Sequence, residues 1–338
     1  MTERPDRNLA MELVRVTEAA ALASAHMMGL GNKEAGDQAA VDAMRAVLST
    51  VEMDGVIVIG EGEKDEAPML YNGEIVGTGR PPLVDVAVDP IEGTRLLALG
   101  RPNAISVIAA TERWGMWQPG PSLYMNKIVV DRHARQAIDI MLSPTENLHR
   151  IAEALGRPVN ELTVFALDKP RHQELIAEIR RVGARISLQT DGDVMGALMA
   201  ALPGSGIDVL MGIGGTPEGV IAAAAVKALG GGMQCQLAPQ SEAEYQRLQA
   251  ALGDEVYQVL TLDELIKADD AFFAATGITD GPLLEGVHYD REGGVTTHSI
   301  VIRALSGSVR YIKGVHQLRR EFPFGRVNVE EAVQLVAH

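Results

Sequence analysis

Cysteine is nearly absent from this chain of 338 residues: Cys235 stands alone. A single thiol can neither close an internal disulfide nor build a thiolate metal site, so a reducing compartment is expected, and the cytoplasm in particular. Aromatic residues are also scarce, at 4%. With 46% apolar residues, 22% charged residues and 35 glycines, the composition excludes disordered and fibrous chains and suits a globular protein of roughly two domains. Positive charge is in short supply. Thirty Lys and Arg face 45 Asp and Glu, for a formal charge of -15, which argues against nucleic acid or an anionic membrane as partner and invites a search for bound cations. Long apolar runs are missing as well. The longest, near 220–229, contains Lys227 and is too short to span a bilayer. The first thirty residues carry Glu3, Asp6, Glu12 and Glu18, which suits neither a signal peptide nor a transit peptide.

What is present begins with two amphipathic helices. Leu9, Leu13, Val16, Ala20 and Ala23 recur at helical spacing ahead of Gly29 and Gly31, and a second stripe runs over 34–48 with Asn32 as its cap. From Gly55 the pattern turns to short β-branched runs at 56–59, 84–88, 104–109 and 127–130. Asn72-Gly73 has the composition of a hairpin turn between 69–71 and 74–76. After Pro144 helix and strand alternate as far as Leu229, which suits a parallel sheet covered by helices. Strand character returns at 295–302 and 308–315. The expected division is therefore an α/β domain over 1–160, with 295–338 rejoining its sheet, and a second α/β domain over 161–294.

The chemistry lies in acids placed at the ends of apolar strands. Val56 to Ile59 runs into Gly60-Glu61-Gly62-Glu63, Asp85 to Val88 into Asp89-Pro90-Ile91-Glu92-Gly93-Thr94, and Val209 to Met211 into a glycine turn and Thr216-Pro217-Glu218-Gly219. Strand ends that precede helices are where α/β proteins bind ligands. Hard divalent cations take oxygen ligands, and several carboxylates converge only when cations cancel their repulsion. Any one of these acids would serve equally as a helix cap or a solvated loop charge. Asp89 and Glu92, three residues apart around a turn, could share one ion, and Gly93 and Thr94 add N–H groups and a hydroxyl suited to a phosphate oxygen or an attacking water.

These residues carry a resemblance. Gly29-Leu30-Gly31-Asn32-Lys33 followed by Asp37, VIGEGEKDEAPMLY at 58–71, VDPIEGT at 88–94, KPRH at 169–172, DGD at 191–193, GIGGTPEG at 212–219 and ATGIT at 275–279 are similar to class II fructose-1,6-bisphosphatases, of the lithium-sensitive sugar and inositol phosphatase superfamily. The resemblance covers nearly the whole chain. It implies a five-layer αβαβα sandwich with the metal site between two α/β subdomains, and two or more Mg2+ or Mn2+ ions. It also implies hydrolysis of the 1-phosphate of fructose 1,6-bisphosphate in gluconeogenesis or carbon fixation, by a homo-oligomer, dimer or tetramer. Sedoheptulose 1,7-bisphosphate stays open as a further substrate.

Carried over residue by residue, Asp37 and Glu61 resemble the ligands of one metal, and Asp89, Glu92 and Glu218 those of another. Thr94 resembles the group that orients the attacking water, and Lys33 an active-site lysine that balances charge. Glu92, Gly93, Thr94, Tyr124, Lys169, Pro170, Arg171, Asp191, Gly192, Asp193 and Gly215 resemble the contacts to the sugar phosphate. On local sequence alone Tyr124 suits a half-buried core tyrosine, and Asp191 and Asp193 suit a turn and a helix cap. Lys169 and Arg171 at a helix start run against its dipole, a misplacement that a phosphate would explain. His172 and the other histidines show no ligand spacing and read as structural or surface residues.

Other functions fit less well. A dinucleotide oxidoreductase would need a third glycine where Pro217 stands and an acid some twenty residues on, where 231–235 hold none. A nucleotide kinase lacks its GxxxxGK motif. A related sugar or inositol phosphate monoesterase is the nearer alternative, and a non-catalytic sugar-phosphate sensor would have no use for Thr94 beside the full acid set.

Overall fold

The computed structural model describes residues 8–62, 69–290, 294–317 and 328–337. Glu3, Asp6 and the 63–68 portion of the VIGEGEKDEAPMLY motif lie outside them. The chain is mixed α/β and forms two compact units, one of 1–114, 272–303 and 308–338, the other of 115–271 and 304–307.

In the first unit the amphipathic stripes become helices Ala10–Ala25 and Lys33–Leu48, the latter capped by Asn32, whose side chain accepts from the Ala35 N–H at 3.1 Å. Both pack on a sheet whose described strands run Gly294–Arg303, Ala271–Gly277, Ile105–Glu112, Leu83–Glu92, Asp54–Ile59 and Ile75–Val76, with His288–Tyr289 and Ser308–Gln317 also paired to Gly294–Arg303. The core between helices and sheet takes Leu13, Val16, Ala20, Met44 and Val47 from the helices and Val84, Val86 and Val88 from the sheet. The sequence places the end of this apolar strand at Val88, ahead of Asp89-Pro90. Instead the strand Leu83–Glu92 continues through a register shift between Asp89 and Glu92 against Ile105–Glu112. Such a bulge re-aims side chains without breaking the ladder, and here it lies between the two acids.

The expected turn at Asn72-Gly73 forms, closed by the Glu74 N–H on the Tyr71 carbonyl at 3.0 Å, but 69–71 and 74–76 do not pair as the strands of a hairpin. Ile75–Val76 pairs antiparallel with Val56 and Gly55 instead, because the Asp54–Ile59 strand offers it a longer apolar partner than the three residues at 69–71.

In the second unit the strand order is Val259–Thr261, Gly232–Leu237, Tyr124–Val130, Val209–Gly215, Thr163–Leu167, Arg185–Gln189. The sheet is mixed where the sequence suggested a parallel one. Thr163–Leu167 is parallel to its two neighbours, but Tyr124–Val130 lies antiparallel between Val209–Gly215 and Gly232–Leu237. That pairing draws 115–160 into the second unit, whereas the sequence pattern assigned it to the first. Contacts so distant in sequence leave no local trace.

Side chains alternate across the central strand. Ile128 and Val130 face a core with Leu148 and Ile151 of helix Pro144–Leu155 and Ile179 of helix Gln173–Val182. Lys127 therefore points to the opposite side, toward helices Asp193–Ala201 and Thr216–Leu229.

Candidate active site

In the first unit, Asp37 sits in the first turns of helix Lys33–Leu48 and Thr94 opens the short helix Thr94–Ala98. The Thr94 hydroxyl donates to the Asp37 carboxylate and also lies 3.1 Å from the Ile91 carbonyl oxygen. Half-burial raises the Asp37 pKa, against the Thr94 hydrogen bond and the Lys33 ammonium one turn earlier, both of which favour its charged form. Gly93, at φ 88°, makes the left-handed turn that joins the strand to this helix.

Asp89 closes a local turn by accepting from the Ile91 N–H at 3.0 Å. Glu92 is buried, with 5% exposure, and Asp89 is half-buried. Glu61 is exposed, its backbone N–H bound to the Leu70 carbonyl. The structure thus brings Thr94 to Asp37 with the Lys33 charge one turn away, and places Asp89 and Glu92 on either side of one bulge.

In the second unit the proposed sugar-phosphate residues gather at the carboxyl ends of the parallel strands. Lys169, after Thr163–Leu167, pairs with Asp191, after Arg185–Gln189, at 2.6 Å. Asp191 Oδ2 is buried without a hydrogen-bond partner among the described residues. Arg171, in the turn Pro170–His172, spends Nε and Nη2 on the Ile213 carbonyl and lies 5.2 Å from the Tyr124 ring centroid. His172 is structural, since its Nδ1 is 2.7 Å from the Leu167 carbonyl and its Nε2 accepts from the Ile213 N–H at 2.7 Å. Backbone chemistry fixes the tautomer, because a carbonyl only accepts and an N–H only donates.

Glu218 lies in the first turn of helix Thr216–Leu229, and its Oε2 is a buried atom with no hydrogen-bond partner among the described residues. Burial raises its pKa, as does the charge of Asp193, while Lys127 opposes both. An acceptor-only oxygen, shielded from water and given no donor, suits a cation. In the first unit the carboxylates of Asp37, Glu61, Asp89 and Glu92 offer oxygen donors alone, the ligand type that a hard divalent ion takes.

Sequence reading gave Lys127 no role. It is 2% exposed and donates to Asp193 Oδ2 at 2.5 Å and to the Gly215 carbonyl at 2.7 Å. Its signal was a lone basic residue among Met125, Ile128, Val129 and Val130, since lysine is almost never fully buried unless paired.

The glycines of GIGGTPEG follow from the same cluster. A Cβ at Gly214 would stand 1.8 Å from Asp193 Oδ2, and one at Gly215 would stand 1.7 Å from Glu218 Oε2. Two adjacent positions are emptied to make room for two carboxylates.

The chain as a whole is similar to known proteins. The family model described as "Bacterial fructose-1,6-bisphosphatase, glpX-encoded" matches residues 7–316. The chain is 46% identical over 337 residues to the fructose-1,6-bisphosphatase 1 class 2 of Escherichia coli, covering 96% of this chain and 99% of the relative, and equally to the fructose-1,6-bisphosphatase class 2 of Shigella flexneri. A match of that extent identifies the chain as a member of the bacterial class 2 fructose-1,6-bisphosphatase family.

Proposed function

We propose that the site hydrolyses the 1-phosphate of fructose 1,6-bisphosphate to fructose 6-phosphate and phosphate, with Asp37 and Glu61 as ligands of one divalent ion and Asp89, Glu92 and Glu218 as ligands of another. The observation that carries it, beside family membership, is the buried Oε2 of Glu218, which has no donor among the described residues. The bound cations would cancel carboxylate and phosphate charge and lower the pKa of the attacking water.

The chain's own groups do the rest. The Thr94 hydroxyl, held by Asp37, orients the water that attacks phosphorus in line with the departing sugar oxygen. Lys33 balances charge at Asp37, and the N–H groups at Gly93 and Thr94 face phosphate oxygens. Lys169 and Arg171 hold the distal phosphate, with Tyr124, the Asp191-Gly192-Asp193 turn and Gly215 as further contacts to the sugar phosphate. Asp191 holds the Lys169 ammonium at 2.6 Å. The reading includes Mg2+ or Mn2+ as the ion, the five-layer αβαβα arrangement, a homo-oligomer and a cytoplasmic setting.

The test is phosphate release from a panel of sugar bisphosphates, sugar monophosphates and inositol phosphates, with Mg2+, Mn2+ or chelator present. Metal-dependent release from fructose 1,6-bisphosphate ahead of the monophosphates is expected, and sedoheptulose 1,7-bisphosphate belongs in the panel as the open case. Full activity after exhaustive chelation overturns the metal assignment, and preference for an inositol phosphate overturns the substrate.

A further inference from the structure

Lys127 occupies a strand position where its neighbours are apolar, and the space around it has been cleared for charge. Its ammonium binds Asp193, the first residue of helix Asp193–Ala201, and the carbonyl of Gly215, the residue that caps helix Thr216–Leu229. Glu218, three residues beyond that cap, acts on the same ammonium. Beyond the clearances at Gly214 and Gly215, a Cβ at Gly219 would stand 2.4 Å from Met125 Sδ and 3.5 Å from Lys127 Cε. Three glycines of one motif thus keep room for one lysine, its strand neighbour and two carboxylates.

The charges do not balance. One ammonium faces two carboxylates, Asp193 is satisfied by it at 2.5 Å, and Glu218 Oε2 is left without a donor among the described residues. A divalent cation attracted to this end of the sheet would meet two acids were the lysine absent.

We propose that Lys127 is the resident counter-cation of the site, a positioning residue whose ammonium occupies Asp193 and so confines the divalent ion to Glu218. This rests on the reading of Glu218 as a metal ligand. The assignment gives the lysine a task other than packing: it sets how many carboxylates the metal finds, and therefore how many ions the chain binds. It also ties together the starts of the two helices that carry Asp193 and Glu218, which keeps the two acids apart.

The experiment counts Mn2+ bound to the purified, chelator-stripped chain by isothermal titration calorimetry, and follows thermal melting with and without Mn2+. Lys127→Met should take up one Mn2+ more per chain than the parent protein, and Lys127→Met combined with Asp193→Asn should lose that extra ion. Lys127→Arg, which keeps the charge, should bind the parent number. Should Lys127→Met unfold when stripped, Mn2+ should restore its melting transition, as the ion takes over the ammonium's place. A folded Lys127→Met with the parent stoichiometry, an extra ion in Lys127→Arg, or an unfolded Lys127→Met that Mn2+ does not restore overturns the proposal. Glu218→Gln separates the two readings. Unchanged Mn2+ binding there removes Glu218 from the metal site and overturns the functional assignment, whereas weakened binding there with an unchanged Lys127→Met overturns the role of Lys127 alone.

Discussion

The Asp37 carboxylate accepts a hydrogen bond from the Thr94 hydroxyl, tying the first turns of helix Lys33–Leu48 to the short helix that follows the Asp89–Glu92 bulge. The same hydroxyl lies 3.1 Å from the Ile91 carbonyl. It has one proton for two acceptors, so engaging Asp37 elsewhere turns the hydroxyl without moving its Cα.

Thr94→Ala should accordingly lower kcat by about 100-fold while leaving KM within about twofold, because the lost group orients water during the reaction and does not bind substrate. Thr94→Ser, which keeps the hydroxyl, should recover most of the rate. Steady-state kinetics on both variants check this. An effect confined to KM would make Thr94 a binding residue.

Arg171 has two of its nitrogens on the Ile213 carbonyl and its guanidinium near the Tyr124 ring, which fixes the fork while leaving the outer edge for an anion. Arg171→Ala should reduce kcat/KM for fructose 1,6-bisphosphate by roughly ten- to hundred-fold, the usual worth of a charge-assisted contact. Fructose 1-phosphate, which lacks the distal group, should be hydrolysed at nearly the parent rate. A parallel fall for both substrates would show that Arg171 does not read the distal phosphate.

Gly214→Ala places a methyl group where Asp193 Oδ2 lies 1.8 Å away and Lys127 Nζ 3.0 Å away. Both partners are buried and paired, so neither can step aside without breaking the ion pair. The expected cost is about 1 to 3 kcal/mol or more of stability, seen as a lower urea midpoint together with weaker Mn2+ binding. Parent-like stability would mean that the Asp193 carboxylate has another place to go.

His172 gives stability a pH dependence of known sign. Burial lowers its pKa below the ordinary 6.5, and Nε2 can accept from the Ile213 N–H only while the ring is neutral. The unfolded chain therefore takes up the proton more readily than the folded one. Its contribution is intact above pH 6.5 and is lost as pH falls from 6.5 through the lowered folded value. Urea midpoints for the parent and His172→Gln, measured from pH 7.5 down to 5.5, should converge as the pH falls. A constant gap would mean that the ring titrates normally.

By itself the sequence determined the local pieces, and family resemblance the chemistry they serve. Helical spacing and the Asn32 cap marked Lys33–Leu48, β-branched runs marked the strands, and acids at strand ends marked Asp89, Glu92 and Glu218, because each signal is written in residues a few positions apart. Only tertiary structure decided what depends on partners far along the chain. Ile75–Val76 pairs with the Asp54–Ile59 strand and not with its neighbours, and Tyr124–Val130 inserts antiparallel between strands some eighty and a hundred residues away. Lys127 is the sharpest case: a lone lysine in a strand reads the same whether its ammonium reaches solvent or is enclosed. Its pairing with Asp193 at 2.5 Å exists only because the sheet sets that side chain against the starts of two helices, and because glycines at 214, 215 and 219 keep the space open.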